Sequence, residues 1–424
     1  MERFLIKGPS KKAKGEVICS GAKNSALPLM ASSILFDDEI VLKNVPLCGD
    51  VYTMVKLLAS LGSTVKIQEK NNIIRIHNKK KLKTKVPYNI VKKMRGSLLV
   101  MGPLLGKYKK CNSSRPGGCS IGFRGIGFHL NGFNKLGASH EMEKGYINIK
   151  SKNLHGGTYR FPKVSVTGTS NLIMASVLLA GSKINLRNIS LEPECLDLIF
   201  WLKKCGARIF FKGYRSIIIE GVKKLTAKTH EVCPDRIEAF SYLCVGAITK
   251  GHVKVKKINP KFLKEELNVL KKIGCKLKTT SNSIEIRVNN KLKSTKIKTL
   301  PAPGFATDNQ PMLMTLLTLA KGKSEIIENI FSNRIANCAQ ELNRMNAAVV
   351  VKKNKAIIIG KDRLKPADTM ASDLRCGFAL ILGAIAARDN KNVSCIQRVY
   401  HVRRSYYKII SKLKKLGINI KVIS

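Results

Sequence analysis

Apolar residues recur along this chain in six blocks of one design. Val51, Met54, Leu58 and Leu61 keep the 3–4 spacing of a helix with one buried face, as do Leu263, Leu267, Leu270 and Ile273. Each such stretch ends on a short step: Leu61-Gly62, Leu136-Gly137, Cys205-Gly206, Ile273-Gly274, Met345-Asn346 and Leu416-Gly417. The steps are 75, 69, 68, 72 and 71 residues apart. Glycine just past a helix end supplies the left-handed cap, and Asn is the best substitute. After the step the period changes to two, as in Thr64-Val65-Lys66-Ile67 and Ile418-Asn419-Ile420-Lys421-Val422, which reads as a half-buried strand.

Each block also holds a second helix that is apolar nearly all round: 25–35, 96–105, 171–180, 239–248, 310–320 and 377–387. Such helices belong in the core. They are entered through Lys23-Asn24, Arg95, Thr169-Ser170, Asp235-Arg236, Asp308, and Asp373 with Arg375. Asp235, Thr169 and Asp373 suit helix capping. Lys23 and Arg95 do not, because a cation opposes the N-terminal dipole, so an anion is expected beside each. If three blocks form one domain and three another, six helix starts can converge on one cleft.

The 424 residues suit two or three domains, and no apolar run is long enough to span a bilayer. The N-terminal stretch lacks the apolar core of a signal peptide, so a cytoplasmic protein is expected. Twelve scattered cysteines without a C-x-x-C pair read as free thiols, most of them core residues such as Cys205, Cys244 and Cys376. No Cys/His group has metal-binding spacing, and no metal or cofactor is expected. The net charge of +50 is spread along the whole chain, mostly as Lys. With one Trp and no aromatic-basic interleaving, no dedicated nucleic-acid partner is expected, nor a membrane one. The field does favour small anionic substrates.

Chemistry concentrates in Arg115-Pro116-Gly117-Gly118-Cys119-Ser120-Ile121-Gly122-Phe123-Arg124. Glycines allow close backbone approach, and flanking cations favour a thiolate. Cys119 is thus a candidate reactive thiol beside an anion.

Together with this segment, Gly21-Ala22-Lys23-Asn24, Asp235-Arg236-Ile237-Glu238, Thr307-Asp308, Asn333-Arg334, Asp373-Leu374-Arg375 and Tyr400-His401 resemble the enolpyruvyl transferases over essentially the whole chain. The resemblance is nearest to the branch whose acceptor is UDP-N-acetylglucosamine. It implies an α/β (α+β) fold of two similar domains, each of three βαβαββ-type repeats in an inside-out α/β barrel, with an interdomain active-site cleft. One domain would span 22–231 and carry the loop 111–124. The other would join 1–21 to 232–424.

The implied reaction moves the enolpyruvyl group of phosphoenolpyruvate to the sugar 3-hydroxyl and releases phosphate. By the same resemblance Cys119 is the general acid and Asp308 the base, with helix capping as the alternative for Asp308. Lys23, Asn24, Arg124 and Arg404 hold phosphoenolpyruvate. Arg95, Arg124, Gly125, Ile126, Gly127, Phe128, Lys163, Val164, Ser165, Val166, Asp308 and Ile330 contact the nucleotide sugar. Phe331 either packs on the sugar or fills the core. The chain departs from the family pattern at Gly127 and Arg403, where Asp is usual. It departs also at Ser332 for Glu, Ser405 for Gly, and Arg115 for an apolar residue.

Overall fold

The structure is a computed structural model that describes residues 2–117, 125–389 and 393–424. Among the described residues, the chain forms two compact units. One comprises 21–117 with 125–233, and the other joins the N-terminal 20 residues to 234–424.

The six steps are left-handed in every case: φ is 110° at Gly62, 87° at Gly137, 100° at Gly206 and Gly274, 66° at Asn346 and 81° at Gly417. The residue after each step donates its N–H to the carbonyl five residues back, for example Ser63 to Leu58 and Ile418 to Leu413. This pairing satisfies carbonyls that a helix end would otherwise orphan. Each step therefore turns a helix into a strand at a fixed angle, which is why one packing unit can repeat.

In the 21–233 unit the buried helices are Lys23–Ser32, Met101–Tyr108 with the 3-10 turns Arg95–Val100 before it, and Val166–Ser176. They pack on one another, and the outer helices Gly49–Leu61, Gly127–Lys135 and Pro193–Lys204 cover them. The last of the three expected core helices lies earlier than its apolar run implied. Ser165 caps it by accepting from the Gly168 N–H at 3.2 Å, and Thr169 lies inside the first turn, where its hydroxyl accepts from the Ser190 N–H. Thr169 is therefore not a cap: the polar stretch Thr167–Asn171 is already helical, and the cap falls two residues before it, at Ser165.

The other unit repeats the plan with Arg236–Ile248, Gln310–Leu317 and Leu374–Ala386 inside. Asp235 and Asp373 cap as expected. Asp235 accepts from the N–H groups of Ile237 and Glu238, and Asp373 from those of Arg375 and Cys376.

Six separate sheets flank these helices, and none is closed among the described residues. Most hold antiparallel strands with one parallel edge strand, such as Gly157–Arg160 beside Lys183–Arg187. A lone parallel bridge, Lys85 to Asn112, stands at that edge of the three-stranded sheet. The sheet around Val393–Gln397 is completed differently. The strand Arg3–Lys7 fills its interior, between Val393–Gln397 and Ile420–Ile423.

Candidate active site

Lys23 opens the first buried helix and is itself buried, with its Nζ 3.3 Å from Asp50 Oδ2. The two side chains are 7% and 4% exposed. The anion that Lys23 called for at a helix start is thus present within the chain: Asp50, in the first turn of Gly49–Leu61. Asn24 follows, half-buried. In sequence Asp50 looks like an ordinary acid favouring its own helix dipole, which hides its partner.

Arg95 starts its 3-10 turn, and its Nη2 donates to the Gly125 carbonyl at 3.2 Å. Gly125 and Gly127 are exposed, and Ile126 and Phe128 are half-buried. The Phe128 carbonyl accepts from the Tyr159 hydroxyl at 3.1 Å. Next to it, His129 is buried, and burial followed by the nearby Arg95 charge lowers its pKa to about 3. Asn171 accepts from the Gly102 N–H, so its amide nitrogen donates to His129 Nδ1 at 2.9 Å. The imidazole proton therefore sits on Nε2, facing Thr167 Oγ1. This neutral pin fixes the start of Gly127–Lys135 against the buried helix Val166–Ser176. Lys163 is exposed, Val164 and Ser165 are half-buried, and Val166 is 37% exposed at the helix start.

In the other unit, Asp308 is gripped by two guanidiniums. Arg334 Nη1 donates to Oδ1 at 2.8 Å, and Arg375 Nε and Nη2 lie 3.1 Å from Oδ2. Both arginines are almost fully buried, while the carboxylate is 22% exposed. Burial alone would depress the pKa of Arg375, but Tyr406, Asp308 and Asp235 carry it above its ordinary value. Asp308 lies inside the 3-10 turn Thr307–Asn309, and the cap positions of that turn and of the helix Gln310–Leu317 fall at Ala306 and Asn309. Of the two readings open in the sequence, capping would place Asp308 at a helix start, whereas the structure places it within the turn with both oxygens on arginines.

Ile330 is 36% exposed, and Phe331 is half-buried with the Arg334 guanidinium 5.1 Å from its ring centre. Arg404 ends the short helix Tyr400–Arg403 and is half-buried. Cys119 and Arg124 lie outside the described residues. Gly117, just before them, has its own requirement: a Cβ there would sit 1.8 Å from the Lys92 carbonyl oxygen. The described cysteines are buried or half-buried, and burial pushes Cys48, Cys111 and Cys195 up to about 12. They are poor nucleophiles and poor acids at neutral pH. No metal-holding cluster of His, Cys, Asp or Glu occurs among the described residues.

A family model described as EPSP synthase (3-phosphoshikimate 1-carboxyvinyltransferase) matches residues 7–413. The chain belongs to the enolpyruvyl transferases. A curated relative from Pelagibacter ubique, UDP-N-acetylglucosamine 1-carboxyvinyltransferase, is 44% identical over the full length of both chains. A relative of the same name from Endomicrobium trichonymphae is 42% identical over the full length of both. Among solved structures, the enolpyruvyl transferase NikO from Streptomyces tendae superposes with a TM-score of 0.89, at 19% identity over 99% of this chain and 98% of that one. EPSP synthase from Acinetobacter baumannii gives 0.78 at 18% identity, over all of both chains.

In this enolpyruvyl transferase, three of the positions expected to depart from the family pattern have local surroundings that suit them. Arg403 pairs with Glu2 (Nε to Oε2, 2.6 Å) and lies over the Phe4 ring, so it draws on the N-terminal strand. Arg115 Nη2 reaches Met142 Sδ at 3.5 Å. Gly127 is the first residue of its helix, and a Cβ there meets nothing within 4 Å. Gly127→Asp is therefore expected to raise stability by about 1 kcal/mol, from the helix dipole and a less flexible unfolded chain. Urea unfolding measures this, and a lower midpoint would refute it.

Proposed function

We propose that the protein transfers the enolpyruvyl group of phosphoenolpyruvate to the 3-hydroxyl of UDP-N-acetylglucosamine and releases inorganic phosphate. In a cell this would be the first committed step of peptidoglycan synthesis, carried out in the cytoplasm. The observation that carries the reading is the 44% identity, end to end, with a relative named for that activity.

The reaction has two steps. Cys119 protonates C3 of phosphoenolpyruvate while the sugar oxygen bonds to C2, and Asp308 accepts the hydroxyl proton. The resulting tetrahedral phospholactoyl species then loses a C3 proton and its phosphate, restoring the double bond. Lys23, Asn24, Arg124 and Arg404 hold the carboxylate and phosphate. Arginine suits this through paired N–H donors, and lysine as a compact charge. Arg95, Arg124, Gly125, Ile126, Gly127, Phe128, Lys163, Val164, Ser165, Val166 and Ile330 hold the nucleotide sugar. Ser165 accepts the Gly168 N–H with one lone pair, which leaves its O–H to donate, so that hydroxyl and the backbone N–H groups of the exposed helix start at Val166 suit a diphosphate. Support for Cys119 as the acid comes from thiols such as Cys48, Cys111 and Cys195, which are buried and pushed up to about 12.

Phosphate release from phosphoenolpyruvate tests the whole reading. Release is expected only with UDP-N-acetylglucosamine present, one phosphate per product, and Cys119→Ala is expected to abolish it. Release with shikimate 3-phosphate in its place, or release that survives Cys119→Ala undiminished, would overturn it.

A further inference from the structure

Glu328 is a buried carboxylate with no assigned part in the reaction, and it is only 1% exposed. Four neutral donors hydrogen-bond to its carboxylate, while the Arg334 charge acts on it from nearby without an ion pair among the described residues. Oε1 accepts from Thr299 Oγ1 at 2.8 Å, the Ile330 N–H at 2.8 Å and the Phe331 N–H at 3.0 Å. Oε2 accepts from Thr307 Oγ1 at 2.9 Å. Burying a carboxylate costs several kcal/mol unless hydrogen bonds replace its water, so this arrangement is specific to a full carboxylate.

The two oxygens serve different segments. Through Oε1, Glu328 sets the turn that presents Ile330 and Phe331. Through Oε2 it sets the direction of a relay. A carboxylate only accepts, so the Thr307 hydroxyl must give its proton to Glu328 and turn its lone pairs outward. Those lone pairs accept from Arg334 Nη1 at 3.1 Å, and the same nitrogen donates to Asp308 Oδ1 at 2.8 Å. We propose that Glu328 is a positioning residue that aligns the Asp308 base through Thr307 and Arg334 and, independently, shapes the nucleotide-sugar contact at Ile330. The proposal rests on the carboxyvinyltransferase reading above.

Glutamine fits the same space but puts N–H donors on one side. With its amide nitrogen toward Thr307, the hydroxyl would face two donors and lose its orientation. Glu328→Gln is therefore expected to lower kcat about tenfold to a hundredfold, the range of one or two lost hydrogen bonds to charged groups. It should also raise KM for UDP-N-acetylglucosamine about tenfold. Thr307→Val breaks only the relay, so it should lower kcat about tenfold with KM within twofold, and Thr307→Ser should restore kcat. In the double variant, kcat should be no lower than in Glu328→Gln alone, because both act through one path.

A purely structural Glu328 would lower the melting temperature and leave both constants within twofold at 25 °C, which overturns the proposal. If Glu328→Gln does not fold, Thr307→Val and Thr307→Ser still decide: equal kcat in wild type and Thr307→Val overturns the relay. Should Asp308→Asn retain full turnover, the base assignment fails, whereas the KM effect of Glu328→Gln survives. Absence of turnover in the wild-type protein would instead overturn the reading of the activity itself.

Discussion

Asp308→Asn is expected to lower kcat about a thousandfold, within the usual range for removing a general base, while UDP-N-acetylglucosamine still binds. The substitution keeps the shape of the side chain but not its acceptors. One oxygen becomes an amino group that faces either Arg334 Nη1 or Arg375 Nε, which are themselves donors. A stability loss of about 1–3 kcal/mol should accompany the kinetic effect, because a buried donor loses its partner. The two effects separate by experiment: single-turnover rates at saturating substrates report the base, and urea unfolding reports the pairing. Turnover within tenfold of wild type in a folded variant would exclude Asp308 as the base.

The second large effect is expected at Lys23. Lys23→Ala removes the cation facing Asp50 in a site where both side chains are almost fully buried. Breaking a buried pair from one side typically costs about 3–5 kcal/mol, since the remaining charge is poorly solvated. On the proposed role of Lys23 in holding phosphoenolpyruvate, turnover should also collapse. Adding Asp50→Asn to Lys23→Ala should recover most of the stability and none of the turnover. Recovery of both would make Lys23 a structural residue only, and an unchanged unfolding midpoint in Lys23→Ala would show that the pair contributes little.

Much of the fold is legible in the sequence because its punctuation is local. A glycine or asparagine after a helix, followed by a change of period from 3.6 to 2, is decided by backbone conformation within a few residues. All six steps can be read that way, and so can the caps at Asp235 and Asp373. The site is legible only in part. In the sequence Asp308 stands where a cap is expected, and nothing nearby in the chain reveals that Arg334 and Arg375 take its oxygens. Those partners are 26 and 67 residues away. Thr169 illustrates the opposite error, since several polar residues in a row leave the cap undetermined until the helix start is known. Glu328 is hidden for a further reason. A glutamate ending a strand is ordinary on a surface, and only its burial beneath Thr299 and Thr307 makes it informative.

The strand Arg3–Lys7 lies between Val393–Gln397 and Ile420–Ile423, with Phe4 and Ile6 fully buried. Its partners lie roughly four hundred residues further along the chain and are translated that much later. At about 5–20 residues per second, the N-terminal strand waits roughly 20–80 seconds for them. The 21–233 unit is translated in full before that, so this strand is paired only after the whole of that unit has been made. Until then, both edges of an apolar strand are open to mispairing, a task for a chaperone. Loss of the strand Ile420–Ile423 would strip one edge from a strand some four hundred residues upstream, so a chain that stops short of it is left open at Arg3–Lys7 as well as at the break.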